Sequence, residues 1–174
     1  GGHSDIVGGS IVIKENKEYA EKISFIQNAV GAVPSPFDCY LLTRSIKTLS
    51  VRMKQHNENA IAVSNYLSNH PKIEKVFFPG TDKRHKEIAE KQMDGFGGMM
   101  SFVIDSDING VKTFLKNLNL FTLAESLGGV ESLIEHPAIM THASIDTSIR
   151  EKLGISETLP VSYTHLTLPT ILRV

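Results

Sequence analysis

The feature that most constrains the fold is a change of periodicity partway along the chain. From Ile46 to Leu67 apolar residues recur every three or four positions, which predicts one long amphipathic helix of about thirty residues that begins near Pro36 and ends at His70-Pro71. Short patterns then alternate, with strands predicted at 73–78, 99–104 and 120–124 and helices at 85–93 and 108–118. This alternation predicts the α/β class, with an α/β layer built separately from the first segment.

The segment before the long helix contains a predicted strand and a predicted helix. Residues 6–13 are β-branched and apolar around two glycines, which predicts a buried strand. Residues 18–30 have helical spacing and are followed by Gly31, a suitable C-cap. Ser35 is a suitable N-cap for the next helix, because Pro36 fits the first helical position and Asp38 adds a carboxylate near the positive end of the helix dipole.

Composition limits the class of protein. The chain has 174 residues, which corresponds to one domain at about 150 residues per domain. Eighteen basic and 19 acidic residues leave a net charge of -1. The chain therefore has no strong positive electrostatic field that would favour binding to nucleic acid or to an anionic membrane. No apolar run approaches the roughly 20 residues of a membrane span. The single cysteine, Cys39, excludes an internal disulfide and indicates a reducing compartment. We expect a cytoplasmic protein whose partners include neither nucleic acid nor membrane.

Several candidate sites are weak. His136 and His142 lie on either side of Pro137, and no carboxylate stands at a helical spacing from them. We therefore expect surface or capping histidines and do not expect a metal site. The glycine-rich residues 95–98 do not form a dinucleotide-binding fingerprint, because Met100 stands where its third glycine belongs. Lys47 lies in a helical pattern with Arg44 and Arg52, which indicates a solvated face or an interface stripe rather than a catalytic lysine.

The most informative segment is residues 124–133, where a predicted strand ends on Glu125-Ser126 and enters two glycines. A short hydroxyl beside exposed backbone N–H groups suits an anion such as a carboxylate. An ordinary strand-to-loop turn explains the same pattern. The hydroxyl-bearing residues 137–144, which include Thr141, are expected to line the same opening.

Residues 124–144 resemble the C-terminal signature of the Cys/Met-metabolism pyridoxal-phosphate enzymes, in particular the cystathionine γ-synthase and γ-lyase branch. Further landmarks of that family match in unbroken order at residues 2–9, 28–33, 36–39, 44–49 and 92–98. The resemblance implies a partial fold-type I enzyme: residues 1–57 as the end of the large cofactor domain, a long connecting helix, and residues 58–159 as the small α/β domain. It also implies γ-replacement or γ-elimination on O-acylhomoserine or cystathionine, within a homotetramer.

The resemblance also implies roles for single residues. The lysine that forms a Schiff base with pyridoxal 5'-phosphate is expected upstream of Gly1, so no catalytic residue is assigned in this chain. Ser126 matches a serine that orients this lysine and binds the carboxylate of the amino-acid substrate. Glu125 occupies a position that influences substrate choice, and Thr141 matches a threonine that lines the site.

The end of the chain departs from the family pattern. Between Thr158 and Leu172 there is no charged residue, and Val161 stands in a run where the family has a carboxylate-binding Arg. We therefore predict that residues 160–174 are a non-native tail and that this chain alone is inactive. A non-catalytic interaction module remains an alternative, as do other family members such as methionine γ-lyase and O-acetylhomoserine sulfhydrylase.

Overall fold

The computed structural model describes residues 1–82 and 85–163. The contacts within the chain divide it into two compact units between Thr48 and Leu49. The predicted division into a large-domain part, residues 1–57, and a small domain, residues 58–159, remains a prediction.

The first unit contains two helices whose ends follow local sequence signals. Helix α1 (Lys17–Val30) begins after Asn16, whose side chain accepts a hydrogen bond from the Tyr19 N–H at 3.1 Å. It ends at Gly31, where φ is 74°, a left-handed conformation that glycine adopts without strain. Helix α2 (Pro36–Ile46) begins after Ser35, whose Oγ accepts from the Asp38 N–H at 3.1 Å. Both predicted caps are confirmed.

The strand predicted at residues 6–13 is wrong. These residues form no strand, and Val7 and Val12 are 91% and 93% exposed. A strand needs a neighbour for its backbone hydrogen bonds, and no described strand pairs with this segment. Within residues 1–48, all of which the structure describes, Ser45 is the only buried residue. The apolar residues of the first unit therefore lie largely at the surface of this chain.

The single long helix predicted from Pro36 is also wrong, because the helix is interrupted. Helix α2 ends at Ile46, and helix α3 (Leu49–Ser68) begins three residues later. Both the N–H and the hydroxyl of Thr48 lie close to the Ser45 carbonyl oxygen, at 3.2 and 3.3 Å. This tight turn replaces the i→i−4 bond of an α-helix with an i→i−3 bond. The predicted stop is confirmed, since α3 ends just before His70-Pro71.

The second unit is an α/β layer, as predicted. Its sheet contains β1 (Ile73–Phe77), β2 (Met99–Ile104), β3 (Thr122–Leu123), β4 (Leu133–Glu135) and β5 (Val161–Tyr163) in the order β1-β2-β5-β4-β3. Neighbouring strands are antiparallel except for the parallel pair β3 and β4. The remaining helices are α4 (Lys86–Gln92), α5 (Ile108–Lys116) and α6 (Thr147–Lys152). The predicted strands and helices between residues 73 and 124 are thereby confirmed, whereas β4, β5 and α6 were not predicted.

The core is built on one face of β2. Side chains alternate across a strand, and Met100, Phe102 and Ile104 are the buried set. Two groups of residues pack against this row. Met100 packs with Ala60 and Val63 of α3, and Phe102 and Ile104 pack with residues of α5 and β4. The α5 residues in this core are Val111 and Leu115.

The sheet includes part of the predicted tail. Pro160 is buried, and its carbonyl oxygen accepts a hydrogen bond from the Phe102 N–H at 3.2 Å. Strand β5 then lies between β2 and β4. Residues 164–174 lie outside the described residues, and the non-native origin of residues 160–174 remains a prediction.

The helices give no sign of a membrane span. Among the described residues, no helix combines the length and the apolar character needed to cross a bilayer.

Burial of Leu115 predicts a large stability effect. Leu115 is 5% exposed within the core of the second unit, whereas Leu153, just after α6, is 64% exposed. We expect Leu115→Ala to lower the free energy of unfolding by about 2 to 5 kcal/mol, because it removes buried methyl groups and leaves a cavity. The matched change Leu153→Ala should stay within about 0.5 kcal/mol of the unmodified chain. Urea denaturation followed by circular dichroism measures both, and equal effects would contradict the assigned core.

Candidate functional site

The predicted site residues lie beyond one edge of the sheet. Strands β3 and β4 are parallel and are joined by hydrogen bonds from the Thr122 N–H to the Ser132 carbonyl and from the Ala124 N–H to the Ile134 carbonyl, both at 3.0 Å. The carboxyl ends of parallel strands lie at the same edge. Residues 124–126 and the chain that follows Glu135 therefore leave the sheet side by side, so this edge is the candidate site.

Glu125 and Ser126 are exposed in the loop that follows β3. The loop turns at Gly128, where φ is 77°, so glycine is needed there. The hydroxyl of Ser126 has no hydrogen-bond partner among the described residues, and the residue is exposed to solvent. The loop geometry agrees with the predicted strand-to-loop turn, and the carboxylate-binding role of Ser126 remains a prediction.

Thr141 lies in an irregular segment, residues 136–146, which we call the site turn. It contains neither helix nor strand, and Thr141 is exposed within it. The Thr141 Oγ1 lies 2.8 Å from the His142 Nδ1. Inside the described residues no hydrogen bond joins Ser126 to Thr141, although the segments that carry them leave the sheet side by side.

His136 is not a surface or capping histidine, and that prediction is wrong for this residue. The imidazole is completely buried, and its Nε2 lies 2.9 Å from the Glu157 carbonyl oxygen. Because a carbonyl oxygen only accepts hydrogen bonds, Nε2 carries the proton and donates it. The Nδ1 of His136 is buried and has no hydrogen-bond partner in the described part of the chain. His136 thus connects the beginning of the site turn to the segment that follows α6.

Arg150 is a second buried residue that sequence reasoning missed. Its Nη1 donates to the Ala138 carbonyl oxygen, and its Nη2 donates to the Thr147 Oγ1 at 3.0 Å. Asp146 caps α6 by accepting from the N–H and hydroxyl of Ser148, at 2.9 and 2.7 Å. These bonds, and to a smaller extent the charge of Arg150, hold the pKa of the Asp146 carboxyl below its ordinary value. An arginine in a basic, polar stretch gives no sequence signal of burial.

Tyr163 and Glu135 form a buried hydrogen bond at the same end of the sheet. The Tyr163 hydroxyl donates to the Glu135 Oε1 at 2.9 Å, and the Glu135 Oε2 is buried with no hydrogen-bond partner within residues 1–82 and 85–163. Burial, this hydrogen bond and the charges of Glu135 and Glu125 raise the pKa of Tyr163 to about 12. Sequence reasoning missed this pair because Tyr163 lies within the predicted tail.

The weak candidates have structural explanations. The Asn57 Oδ1 of α3 accepts from the Phe96 N–H at 2.7 Å, which attaches the glycine-rich residues 95–98 to that helix. Lys47 is exposed at the end of α2, but Arg52 is buried, so a solvated face is wrong for Arg52. In the described ranges no group of three His, Cys, Asp or Glu side chains is arranged to hold a metal ion.

The fold and the landmarks agree with one family. The family model for Cys/Met metabolism PLP-dependent enzymes matches residues 1–160, and the chain belongs to this family. Its relatives include the cystathionine gamma-lyase of Dictyostelium discoideum, 53% identical over 159 residues, and the cystathionine beta-lyase of Coxiella burnetii, 52% identical over 157 residues. The matches cover 91% and 90% of this chain but 41% of each relative. The chain therefore spans about two fifths of the length of these relatives.

Solved structures show the same relationship. The cystathionine gamma-lyase of Micromonospora echinospora has a TM-score of 0.89 at 30% identity, covering 97% of this chain and 44% of that protein. The cystathionine gamma synthase of Xanthomonas oryzae pv. oryzae, in complex with aminoacrylate and cysteine, has a TM-score of 0.85 at 39% identity, covering 96% and 43%. The predicted α/β class, as a partial PLP-dependent fold, is confirmed.

The described lysines are all on the surface of this chain. Every lysine in residues 1–82 and 85–163 is exposed, whereas a lysine that forms a Schiff base needs a pocket that shields it from water and lowers its pKa. Ser126 and Thr141 are exposed, and their role in substrate binding remains a prediction.

The raised pKa of the buried Tyr163 hydroxyl predicts that the stability of the fold depends on pH above pH 10. Its pKa is about 12 in the folded chain and 10.0 when unperturbed, so the neutral hydroxyl stabilises the fold below pH 10 and this contribution is lost as the pH rises toward 12. We expect Tyr163→Phe to abolish this decrease in stability between pH 10 and pH 12. At pH 7 the same variant should lower the free energy of unfolding by about 1 to 3 kcal/mol, because the buried Glu135 carboxylate loses the hydrogen bond from the Tyr163 hydroxyl.

Tyr40→Phe is the matched control, since Tyr40 is 62% exposed. The free energy of unfolding from urea titrations between pH 7 and pH 12 measures both variants. If the Tyr40 and Tyr163 variants had the same pH profile, the hydrogen bond to Glu135 would not contribute to stability.

Proposed function

We propose that the parent protein, meaning the protein in which this chain occurs, is a pyridoxal-phosphate enzyme of transsulfuration. Its reaction is γ-elimination or γ-replacement on cystathionine or an O-acylhomoserine. One observation carries the proposal: the chain is 52–53% identical over about nine tenths of its length to cystathionine lyases. The presence of both gamma- and beta-lyases among these relatives makes the position of bond cleavage the first point to test.

The proposed roles of this chain's residues concern the substrate. The Ser126 hydroxyl donates a hydrogen bond to a carboxylate oxygen of the amino acid, and Thr141 contacts the substrate from the site turn. Glu125 influences which substrate is accepted through its negative charge. The exposure of all three side chains beyond one edge of the sheet supports these roles.

The cofactor, the lysine that holds it and the arginine that binds the substrate carboxylate are proposed to come from outside this chain. Pyridoxal phosphate, when bound, withdraws electrons from the carbon atoms next to the amino group. The lysine that holds it and the arginine that binds the substrate carboxylate belong, in this proposal, to other parts of a cytoplasmic homotetramer. Sedimentation of the parent protein tests the homotetramer directly.

The products of cystathionine test the proposed reaction. We expect the purified parent protein with pyridoxal phosphate to release cysteine, ammonia and 2-oxobutanoate, as γ-elimination requires. Release of pyruvate and homocysteine instead would show β-elimination. Formation of cystathionine from an O-acylhomoserine and cysteine would show γ-replacement. Failure to convert any of these substrates would contradict the proposal.

Removing the Ser126 hydroxyl should weaken substrate binding. We expect Ser126→Ala in the parent protein to raise KM for cystathionine by about 10-fold or more, because a hydrogen bond to a charged group contributes about 1.5 to 3 kcal/mol. Ser68→Ala is the matched control, since Ser68 is exposed at the end of α3, and its KM should equal that of the unmodified protein. An equal KM for the Ser126 and Ser68 variants would remove Ser126 from the site.

A second candidate is that this chain, by itself, is a non-catalytic interaction fragment. The apolar surface of the first unit favours it, with Phe25 and Val30 72% and 74% exposed. Exposed apolar surface of this kind marks a region that another protein surface covers. A monodisperse, folded chain would support an interaction fragment, whereas aggregation of the purified chain would indicate a piece that needs the rest of its protein.

The chain alone should form no specific bond with the cofactor. We expect borohydride reduction of the 174-residue chain with pyridoxal phosphate to label several exposed lysines partially and none stoichiometrically, because every described lysine is exposed to water. Mass spectrometry of peptides measures the labelling. Stoichiometric labelling of one lysine, for instance Lys47, would show a cofactor site within this chain.

A further inference from the structure

We infer that Arg150 is a positioning residue, whose buried guanidinium holds the site turn in the conformation that presents Thr141 to the substrate. The inference rests on the proposed role of Thr141. Arg150 itself is buried, with 9% of its surface exposed, and in this proposal it does not touch the substrate.

The site turn has little structure of its own. Its backbone hydrogen bonds are short-range, with the Met140 N–H donating to the His136 carbonyl at 3.0 Å and the His142 N–H donating to the Pro137 carbonyl at 2.8 Å. Turns of this kind lack the repeating backbone hydrogen bonds of a helix or a sheet, so their conformation depends on contacts with other parts of the chain. Thr141, at the middle of the turn, is exposed.

Two side-chain contacts fix the turn to the segments that follow it. The His136 Nε2 donates to the Glu157 carbonyl at 2.9 Å, and the Arg150 Nη1 donates to the Ala138 carbonyl. The Arg150 contact lies three residues before Thr141, and the His136 contact lies five residues before it. Arg150 is therefore the contact closer to the residue that the turn presents.

The planar guanidinium makes Arg150 specific for this task. Nη1 bonds to the site turn while Nη2 bonds to the Thr147 hydroxyl at 3.0 Å, so one rigid group joins the turn to the beginning of α6. Helix α6 is in turn capped by Asp146, the last residue of the site turn. A lysine ammonium is a point charge on a flexible stem and cannot reproduce this fixed pair of directions.

Because Arg150 is buried, its hydrogen bond to the Ala138 carbonyl is sensitive to movement of the site turn. The Arg150 Nε is buried and has no hydrogen-bond partner among the described residues, and the guanidinium, whose charge also acts on Asp146, forms no ion pair with a described carboxylate. A buried charge needs well-placed hydrogen bonds to offset its loss of hydration. Any movement of Ala138 away from Nη1 removes one of these bonds, so the site turn and Arg150 are held in one arrangement.

The test compares Arg150→Met with Lys152→Met in the parent protein loaded with pyridoxal phosphate. Lys152 is exposed on the same helix and is the matched control. We expect Arg150→Met to raise KM for cystathionine by about 10-fold with kcat changed by less than about 2-fold, because misplacing a binding group weakens positioning before it alters chemistry. Hydrogen exchange should increase in residues 138–143 of this variant alone.

A second pair of variants, with conservative substitutions, allows the test to be carried out if Arg150→Met does not fold. Arg150→Lys preserves the charge and loses the paired contacts, and Lys152→Arg is its control. Arg150→Lys should raise KM by about 3- to 10-fold, while Lys152→Arg should change neither constant. A KM and an exchange rate in residues 138–143 equal to those of the control would overturn the inference. So would a loss of kcat and of melting temperature with KM unchanged, which a purely structural residue produces.

Thr141→Val, measured in parallel, separates this inference from the function on which it rests. A raised KM in Thr141→Val with an unchanged KM in the Arg150 variants would overturn the positioning role of Arg150 alone. An unchanged KM in Thr141→Val would remove the threonine from the substrate site and the inference with it. Absence of conversion of cystathionine or O-acylhomoserine would instead contradict the proposed function, while hydrogen exchange would still report whether Arg150 holds the turn.

Discussion

The structure of the second unit depends on the burial of one row of side chains along β2. Met100, Phe102 and Ile104 lie on the same face of the strand, and α3 and α5 both pack against this row. The backbone of β2 is meanwhile hydrogen-bonded on both sides, to β1 and to β5. Apolar burial provides most of the free energy for such an arrangement, so the positions of the helices and of the remaining strands follow from it.

The candidate site lies where this regular structure ends. The parallel pair β3 and β4 directs two chain segments to one edge of the sheet, and each continues as an irregular loop. Loops carry functional groups because they are free of the backbone constraints of a sheet, but they need other contacts to hold them. For the site turn, such contacts come from two buried polar side chains, His136 and Arg150, which bond to backbone carbonyls or hydroxyls. The rigid sheet determines where the site lies, and these side chains determine its local shape.

The accuracy of the sequence predictions varied with the range of the interactions involved. The caps at Gly31 and Ser35, the stop at His70-Pro71 and the boundaries of β2 agree with the structure because each depends on residues close in sequence. The strand at residues 6–13 and the continuous helix were wrong. The first needed a neighbouring strand, and the second was interrupted by hydrogen bonds from Thr48 to the Ser45 carbonyl that periodicity does not reveal.

By itself, the sequence determined the α/β class, most helices and strands of the second unit, and the family, because periodicity, caps and ordered motifs are local properties of the chain. Only the tertiary structure decided which polar residues are buried. His136, Arg150 and Tyr163 have partners 21, 12 and 28 residues away, and no local pattern encodes such contacts. The free energy of a buried polar group depends on whether a partner is present, and that partner is brought into place only when the sheet and its helices have assembled.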